Sequence, residues 1–443
     1  MGEQSPLLTR DAGSTIAQRP AVTIVAILAA VFLLGMGNAL QATALALRGG
    51  LAGFSNQVIG LVMSAYFIGF AVGSLFSVRI IRQVGYVRTF AAFASLSSIT
   101  ALSHILIINP VAWIVLRAFH GLCLASMLVV VESWLNASTA SYNRGRVLSV
   151  YSLVYLASMG AGQPLIAVFS PATFEIFAVT SILISACLVP ITLAPVTGTP
   201  VVDRSEPHLW KTFLRSPLGG IGIVISGISA EAIWGLAPRF GQQMGFSEAR
   251  IGTLMLTVSL GALAVQFPLG WLSDRWDRRV AILLAAGIGS AAAGLMAFLH
   301  GSGFLFFMLA FLFGAFCMPL YSLCMALIND ELTPGQMVQA ASALVIYYGV
   351  GSATGPYVAS IFMSAVGPSG LFLFVSAVLM LFVIGASVRV RARPRPEAAH
   401  AEHYHPYPRT TFAAFELVRN VTRRRRGAAM RKKNRENSVP PRE

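Results

Sequence analysis

Charged residues are scarce in this chain, because Asp, Glu, Lys and Arg make up only 11% of its 443 residues. A soluble globular protein carries about 25% charged residues, which hydrate its surface. Cysteine is also rare: the four cysteines all lie inside apolar segments, and no C-x-x-C pair occurs among them. These shortages exclude a soluble enzyme, a disulfide framework and a cysteine-ligated zinc site.

Apolar residues make up 56% of the chain and fall into twelve long runs. Each run can cross the roughly 30 Å of hydrocarbon in a bilayer as a helix that rises about 1.5 Å per residue. The first run is nearly twice as long as the about 7–15 apolar residues of a signal peptide, so we expect it to be retained. The sequence predicts an all-α membrane protein with twelve transmembrane helices at residues 21–46, 58–78, 90–108, 112–134, 147–169, 174–194, 218–238, 251–271, 280–299, 304–328, 340–363 and 371–388.

Basic residues between the runs indicate the orientation of the chain, since cytoplasmic loops are rich in Lys and Arg. With the N-terminus inside, the outer breaks contain only Arg48, Arg239 and Arg250. The inner breaks contain Arg79, Arg82, Arg88, Arg144, Arg146, Arg204, Lys211, Arg215, Arg275, Arg278 and Arg279. We therefore predict a multi-pass protein of the plasma membrane, in bacteria the inner membrane, with both termini in the cytoplasm.

The chain repeats itself at an interval of 192 residues. Ile59, Gly60, Met63, Gly69, Tyr155 and Pro164 recur as Ile251, Gly252, Met255, Gly261, Tyr347 and Pro356. Two six-helix units in the same orientation are one way in which secondary transporters are built, with the site between them. We predict a tail at 1–20, an N-terminal bundle at 21–194, a cytoplasmic connecting loop at 195–217, a C-terminal bundle at 218–388 and a basic cytoplasmic tail at 389–443.

The break after the eighth run carries a motif that extends from Gly270 to Arg279 and reads G-W-L-S-D-R-W-D-R-R. It resembles the G-x-L-x-D-R-x-G-R-R signature of the major facilitator superfamily, with Asp277 in place of the second glycine. The stretch from Glu132 to Arg146 is similar to the uncharacterised bacterial YcaD-like branch of that superfamily. The resemblance implies two pseudo-symmetric six-helix bundles and transport by alternating access.

The same motif contains candidates for a cytoplasmic gate. Following Gly270, the Asp274 carboxylate can pair with Arg275, Arg278 and Arg279 across a helix end and part from them when the two halves move. The alternative is that these arginines only set the topology of the chain.

The equivalent break of the first half departs from the motif, because Arg82 stands where the second half has Asp274. Glu132, near the inner end of the fourth run, is the candidate acid for this side, and Arg144 follows it. We interpret Glu132 as part of a structural latch, with substrate contact as the alternative. Asp330 and Glu331 end the tenth run and are candidates for the same part in the second half.

Ionisable residues deep in an apolar run are the strongest functional signal, since a charge at mid-bilayer costs about 2.5–3.5 kcal/mol even on lenient scales. Glu231 is the deepest acid, within the seventh run, and Trp234 shares its helix face. Asn38 and Gln41 in the first run share a face that is expected to look across a central cavity toward Glu231. We predict a substrate- and proton-binding site here; the alternative is helix-to-helix hydrogen bonding.

Arg117 opens the stretch R-A-F-H-G in the outer half of the fourth run, and His120 shares its face. This stretch resembles the R-x-x-x-G element of facilitator drug exporters, where the arginine is tied to proton transfer. A cation within the membrane needs a partner, for which substrate, Glu231 and water are the candidates. Snorkelling of the Arg117 side chain to the outer surface is the alternative.

Two runs combine glycine with proline, which removes a backbone hydrogen bond from a helix. We predict helix breaks at Gly162 and Pro164 in the fifth run and at Gly351, Gly355 and Pro356 in the eleventh run. The repeat-related Tyr155 and Tyr347 precede these prolines by nine residues and are candidates for lining the cavity.

The net charge of +15 is concentrated in the tail, which carries fifteen basic and five acidic residues from Arg389 onward. Phe412, Phe415, Val418 and Val421 recur at a helical spacing before four arginines, which favours contact with anionic lipid over nucleic acid. Three tail histidines are interpreted as solvated, not as metal ligands.

The sequence as a whole predicts a monomeric secondary transporter of a small organic solute, without cofactor or enzymatic activity and with no G-x-x-x-x-G-K-[ST] for nucleotide binding. We expect coupling to protons, and we prefer export slightly over uptake. The alternative is a non-transporting membrane receptor or scaffold whose basic tail binds lipid.

Overall fold

The computed structural model describes residues 20–139, 143–194, 209–299, 303–332 and 337–392. The backbone of these residues is helical apart from short turns. Residues 1–19, most of the predicted connecting loop and the basic tail from residue 393 onward lie outside the described residues. The prediction that Phe412 and the following arginines contact lipid therefore falls outside them too.

Fifteen α-helices are present in the described residues. Those of the first half are α1 (Pro20–Leu51), α2 (Asn56–Val84), α3 (Tyr86–Leu106), α4 (Pro110–Ser138), α5 (Arg144–Ala161), α6 (Glu175–Ala186) and α7 (Leu188–Leu193). A short helix, α8 (Leu209–Arg215), lies in the stretch predicted as a loop. Those of the second half are α9 (Pro217–Gln243), α10 (Glu248–Arg275), α11 (Arg278–Phe298), α12 (Phe304–Cys317), α13 (Leu320–Glu331), α14 (Met337–Val366) and α15 (Gly370–Ala392).

These helices form the twelve predicted spans. The fifth span is α5 with a 3₁₀ turn at Gln163–Ala167, the sixth is α6 with α7, and the tenth is α12 with α13. Ten of the spans are long and apolar enough to cross a membrane by length and composition. Runs of this kind fold as helices because hydrocarbon offers no partner to an unpaired backbone N–H or C=O group.

Proline accompanies a break in three spans of the described residues, whereas the sequence predicted breaks at Pro164 and Pro356. The predicted break at Gly162 and Pro164 is confirmed, since α5 gives way to a 3₁₀ turn there. Pro190 and Pro319 accompany two further breaks, because a proline ring cannot donate to the carbonyl four residues before it. The predicted break at Pro356 is wrong: α14 continues through it to Val366.

Close packing against α9 accounts for the continuity of α14. A Cβ atom on Gly351 or Gly355 would overlap the backbone carbonyl oxygen of Val224 or Ile228 in α9. The two glycines therefore let the two helices touch along their backbones, as small residues do in membrane proteins. A lost hydrogen bond at Pro356 is tolerated in a helix that neighbouring helices hold in place.

The two halves reproduce the interval of 192 residues in three dimensions. Adding 192 to the bounds of α3 gives 278–298, the bounds of α11. Ser55 and Ser247, also 192 apart, cap α2 and α10 by accepting a hydrogen bond from the backbone N–H three residues on. The turn that follows differs: Gly85 has a φ of 84°, whereas Asp277 has a φ of −68° and caps α11 through its side chain. Asp277 can replace the glycine of the motif because its backbone needs no positive φ.

The halves meet along repeat-related helices, with α2 packed on α14, α5 on α10 and α1 on α9. We call the end where α1 and α9 finish the Asn56 end, and the end where α10 finishes the Arg278 end. One apolar core at the Arg278 end lies wholly within the first half and includes Ile27 and Val131. The other core extends through both halves, and its first-half members, such as Leu47 and Ile59, come from the Asn56 end. The halves thus share a core at the Asn56 end.

Substituting Gly351 by Ala tests the contact between α9 and α14. The added methyl group meets backbone that cannot move aside, so we expect the variant to lose about 1–3 kcal/mol of stability, as overpacked cores do. Thermal unfolding in detergent measures the loss. Gly385→Ala is the matched control, because a Cβ at Gly385 meets nothing within 4 Å. Equal unfolding temperatures for the two variants would contradict this packing.

Candidate functional site

A cavity of about 110 Å³ lies between the halves and is lined by residues of α1, α2, α4 and α5 on one side and α9 and α14 on the other. Its walls are mainly aromatic and apolar, with a few polar groups. Of the predicted site residues, the structure brings together Asn38, Arg117, Tyr155, Glu231 and Trp234 at this cavity. The site thus collects side chains from both repeats, as the repeat-interface sites of secondary transporters do.

Glu231 supplies a carboxyl group from α9. Tyr348 in α14 donates a hydrogen bond of 2.6 Å from its Oη to Glu231 Oε1. The ring of Tyr348 packs edge-on against Tyr321 of α13, with the ring centroids 5.1 Å apart. Trp234, one helical turn beyond Glu231, also lines the cavity and is 6% exposed. The carboxyl group is therefore held by a phenol while it faces the cavity.

Arg117 supplies the positive charge from α4. Its side chain is 3% exposed, and its Cζ lies 4.4 Å from the centroid of the Tyr66 ring, a cation–π geometry. Its Nε and Nη1 have no hydrogen-bond partner among the described residues. Glu231 acts on it electrostatically from the other half. The structure thus contradicts the alternative that Arg117 snorkels to the surface.

His120 stands behind the cavity wall, although the sequence predicted it at the site. Its Nδ1 lies 2.9 Å from Ser97 Oγ and its Nε2 lies 3.3 Å from Asn38 Oδ1. A neutral ring that accepts at Nδ1 and donates at Nε2 satisfies both contacts. His120 therefore positions the Asn38 amide and does not line the cavity.

Gln41 does not line the cavity, which corrects its predicted role. The cavity-facing stripe of α1 consists of Asn38, Ala39 and Ala42. At about 100° per residue, Gln41 lies roughly 100° from the centre of that stripe. Its side chain is fully buried beside the cavity wall, not aimed across it.

The prediction that Tyr347 lines the cavity is also wrong. Its neighbour Tyr348 lines the cavity instead. Tyr155 lines the cavity as predicted. Tyr347, its repeat equivalent, is partly buried and packs instead against Phe213 of α8. A step of one residue rotates a side chain by about 100° around its helix, so small departures from symmetry exchange neighbours.

Five cavity residues in α2 were missed by the sequence reasoning, namely Ala71 and four larger side chains. Met63, Tyr66, Phe67 and Phe70 all line the cavity. Their spacing of i, i+3, i+4 and i+7 is that of one helix face, and this pattern was the available signal. They provide much of the aromatic surface around Arg117.

The 3₁₀ turn after α5 joins the first half to its neighbours. Thr43 in α1 donates a hydrogen bond of 2.9 Å to Gln163 Oε1. Gly162 lies against the backbone carbonyl of Met36 in α1, and Gly252 of α10 lies against that of Gln163. The predicted break thus lets three helices approach one another beside the cavity, while the Pro164 side chain is exposed.

The predicted gate residues of the second half form ion pairs at the Arg278 end. Arg278 pairs with Asp274 at 2.9 Å and with Asp330 at 2.8 Å, and so links α10, α11 and α13. Arg279 pairs with Glu331 at 3.5 Å. Arg275 is exposed and stacks on the Trp271 ring, with its Cζ 3.8 Å from the centroid, while Gly270 is buried in α10.

In the first half, the acid and the basic residues of the predicted latch lie in different surroundings. Glu132 is fully buried, and Tyr151 of α5 donates to its Oε1 at 3.1 Å. Arg82 is exposed at the end of α2. The Arg144 side chain lies outside the described part of the chain. The burial of Glu132 far from the cavity fits a structural part in this half.

Hydrogen bonds join the two halves at the Asn56 end. Asn56 Oδ1 accepts from Arg239 Nε at 3.2 Å and from Gln243 Nε2 at 3.1 Å. Gln242 Nε2 donates to the Leu47 carbonyl at 3.0 Å. Near the 3₁₀ turn, Ser170 Oγ donates to Glu248 Oε1 at 2.8 Å. Together with the shared apolar core, these bonds close the Asn56 end.

Two curated bacterial proteins are similar to this chain over most of its length. The uncharacterised MFS-type transporter YE1530 of Yersinia enterocolitica is 27% identical over 328 residues, which are 74% of this chain and 85% of that protein. The uncharacterised MFS-type transporter YcaD of Salmonella newport is 28% identical over 332 residues, with the same coverage of each chain.

Solved structures of transporters share the fold. The nucleoside transporter NupG superposes with a TM-score of 0.67 at 12% identity, covering 83% of this chain and 98% of its own. The fucose:proton symporter FucP of E. coli superposes with a TM-score of 0.52 at 14% identity, covering 83% of this chain and 99% of its own. At these identities the similarity establishes the fold alone.

The sequence model of the Major Facilitator Superfamily matches this chain twice, at residues 27–220 and 219–425. The two matches correspond to the two halves related by the interval of 192 residues. Ten helices that are long and apolar enough to cross a membrane, a cavity between the halves and transporter relatives agree with these matches. The chain belongs to the major facilitator superfamily and is a multi-pass secondary transporter of small molecules, not an enzyme.

Proposed function

We propose that this protein couples protons to the transport of a small organic solute by alternating access, with Glu231 as the proton carrier and Arg117 as the opposing charge. The observation that carries the proposal is the presence of both groups at one cavity, each contributed by a different half. An ionisable group within a membrane span is a functional site by default, because its charge is costly there.

Protonation of Glu231 changes the force between the halves. When the carboxyl group is ionised, it attracts Arg117 across the cavity, and the low dielectric strengthens that attraction. When the carboxyl group is protonated, the attraction is lost while the Tyr348 hydroxyl can still bond to it. The affinity of Glu231 for a proton therefore differs between conformations in which Arg117 and Glu231 lie at different distances. Coupling of a proton to a conformational change requires such a difference.

The closed Asn56 end supports an inward-facing state. If the N-terminus is cytoplasmic, as the basic loops predict, the Asn56 end faces outward and the Arg278 end faces the cytoplasm. The bonds of Asn56 with Arg239 and Gln243 would then form the outer seal. We propose that the protein works in a bacterial inner membrane, with both termini in the cytoplasm.

The Arg278 cluster is proposed as the part that holds the second half together while the Arg278 end opens. Arg278 and Arg279 are mostly buried and bind acids of their own half in this state. In the opposite state, the halves approach at this end, and the cluster meets the basic end of α2 near Arg82. Ion pairs that exchange partners in this way bias one conformation over another.

Glu231→Gln tests the proton step. The amide keeps the shape and can still bond to Tyr348, but it cannot bind or release a proton. We expect flux driven by a pH gradient to be abolished in proteoliposomes, while exchange of solute for solute continues. Glu175→Gln, at an exposed position in α6, is the matched control. Undiminished pH-driven flux in Glu231→Gln would contradict the assignment.

Asn56→Leu tests the outer seal. The change removes the acceptor of two hydrogen bonds, each worth about 1 kcal/mol, so we expect a several-fold larger outward-open population. A Met63→Cys reporter in the cavity, labelled from outside with a membrane-impermeant thiol reagent, measures that population. The four native cysteines are buried. Gln57→Leu is the neighbouring control; equal labelling in the two backgrounds would count against the seal.

Arg278→Lys tests the ion-pair cluster. A lysine keeps the charge but lacks the planar fork that reaches Asp274 and Asp330 together. We expect a loss of about 1–3 kcal/mol in stability and slower flux. Arg275→Lys at the exposed, ring-stacked position is the control. If both variants unfold at the same temperature as the parent, the Arg278 cluster does not hold the second half together.

A further inference from the structure

Arg117 has unused hydrogen-bonding capacity at a place where that is costly. Its guanidinium is almost fully buried, and its Nε and Nη1 find no hydrogen-bond partner among the described residues. Leaving buried donors unsatisfied carries a desolvation penalty, which is greater for a charged group. The Tyr66 ring compensates the charge from one face but accepts no ordinary hydrogen bond from the fork. Arg117 also lines the cavity, so we take this unsatisfied guanidinium as the group that meets a ligand there.

The chemistry of the fork selects the ligand's charge. A guanidinium presents parallel N–H donors that match the two oxygens of a carboxylate, or the oxygens of a phosphonate or sulfonate. A cationic ligand would meet Arg117 as a like charge in a low-dielectric cavity. A neutral ligand would add no charge to balance Arg117 when Glu231 is protonated. An anion alone removes both penalties.

The walls of the cavity select the rest of the molecule. Tyr66, Phe67, Phe70 and Trp234 surround the space next to Arg117 with aromatic surface. The cavity of about 110 Å³ is comparable to the roughly 150 Å³ engineered cavity that holds benzene. A single ring or a short apolar chain suits these walls.

We propose that the transported solute is a small organic anion, with one acidic group bound by Arg117 and an apolar or single-ring body held by Tyr66 and Trp234. The proposal rests on the proposed function, because it names the substrate class of the same cavity. It assigns separate parts to the two charges, with Arg117 for the anion and Glu231 for the proton.

Anion binding at Arg117 and proton binding at Glu231 are linked by charge. The groups that face Glu231 are Arg117 of α4, Tyr66 of α2, Tyr155 of α5 and Tyr348 of α14. Arg117 is the cation among them. An ionised Glu231 repels an incoming anion and competes for Arg117; a protonated Glu231 does neither. Anion and proton therefore bind together and move in the same direction, so an inward proton gradient drives uptake, the reverse of the slight preference for export drawn from the sequence.

The test uses ligands that share one ring and differ in charge. Benzoate, phenylacetate, phenylphosphonate and benzenesulfonate are compared with benzylamine and benzyl alcohol, each added to the purified full-length protein. Ligand binding to the folded state raises the unfolding temperature, and Trp234 provides a fluorescence signal within the site. We expect at least one anion to protect the protein, more strongly at acidic pH, and the amine and alcohol to do nothing.

Variants then assign the binding to Arg117. Arg117→Gln is expected to weaken the protecting anion at least about tenfold, as loss of one charge-assisted pair does. Arg117→Lys, which keeps the charge without the fork, should fall between. Arg88→Gln, at an exposed position, is the matched control and should bind as the parent does. Glu231→Gln should bind the anion with an affinity that no longer depends on pH.

The outcomes separate this proposal from the proposed function. Protection by benzylamine or benzyl alcohol but not by the anions, or no protection by any anion, overturns the anion site. The anion site is also overturned if the anion protects Arg117→Gln as strongly as it protects the parent. If the parent binds the anion but shows no pH-driven anion flux in proteoliposomes, the result supports the anion site and contradicts the proposed function.

Discussion

A basic and an acidic side chain at one small cavity between the two halves are the constraint on which the rest of the structure depends. Arg117 belongs to the first half and Glu231 to the second, and neither can be hydrated as it would be in water. Each is supported by an aromatic partner, Tyr66 for the guanidinium and Tyr348 for the carboxyl group. Ionisable groups within a membrane span cost free energy, and they usually mark a functional site.

In the proposed cycle, the packing around the cavity would turn a local charge change into a movement of whole halves. Glycines bring helix backbones into contact within each half: Gly69 and Gly121 join α2 to α4, and Gly351 and Gly355 join α9 to α14. Such contacts leave no room for one helix to yield alone, since packed interiors transmit strain. Under the proposal, a change in the attraction across the cavity would therefore act at the interface between the halves, where polar bonds join them at the Asn56 end.

Much of the architecture could be predicted from the sequence because lipid imposes a simple rule on length and polarity. The twelve runs and the cavity positions of Arg117 and Glu231 follow from counting apolar and ionisable residues, and the interval of 192 residues follows from matching residues in the two halves. The ion pairs of Arg278 also lie where the motif indicated.

The features that the sequence did not predict depend on a shift of one residue position around a helix and on local backbone packing. Gln41 shares a helix face with Asn38 only in part, and Tyr348 replaces Tyr347 because repeat symmetry is inexact at the level of side chains. Pro190 and Pro319 accompany helix breaks whereas Pro356 does not, since neighbouring backbones decide which helix survives a missing hydrogen bond. No periodicity in one chain encodes those contacts directly.

The linkage between proton and anion is the central claim, and proton uptake on binding measures it most directly. Benzoate, or whichever anion of the series protects the protein, is added to weakly buffered protein while a pH indicator records the bulk proton concentration. The account predicts that the parent takes up protons in proportion to the anion bound and that Glu231→Gln binds the anion without proton uptake. Anion binding by the parent with no proton uptake at any starting pH would contradict it.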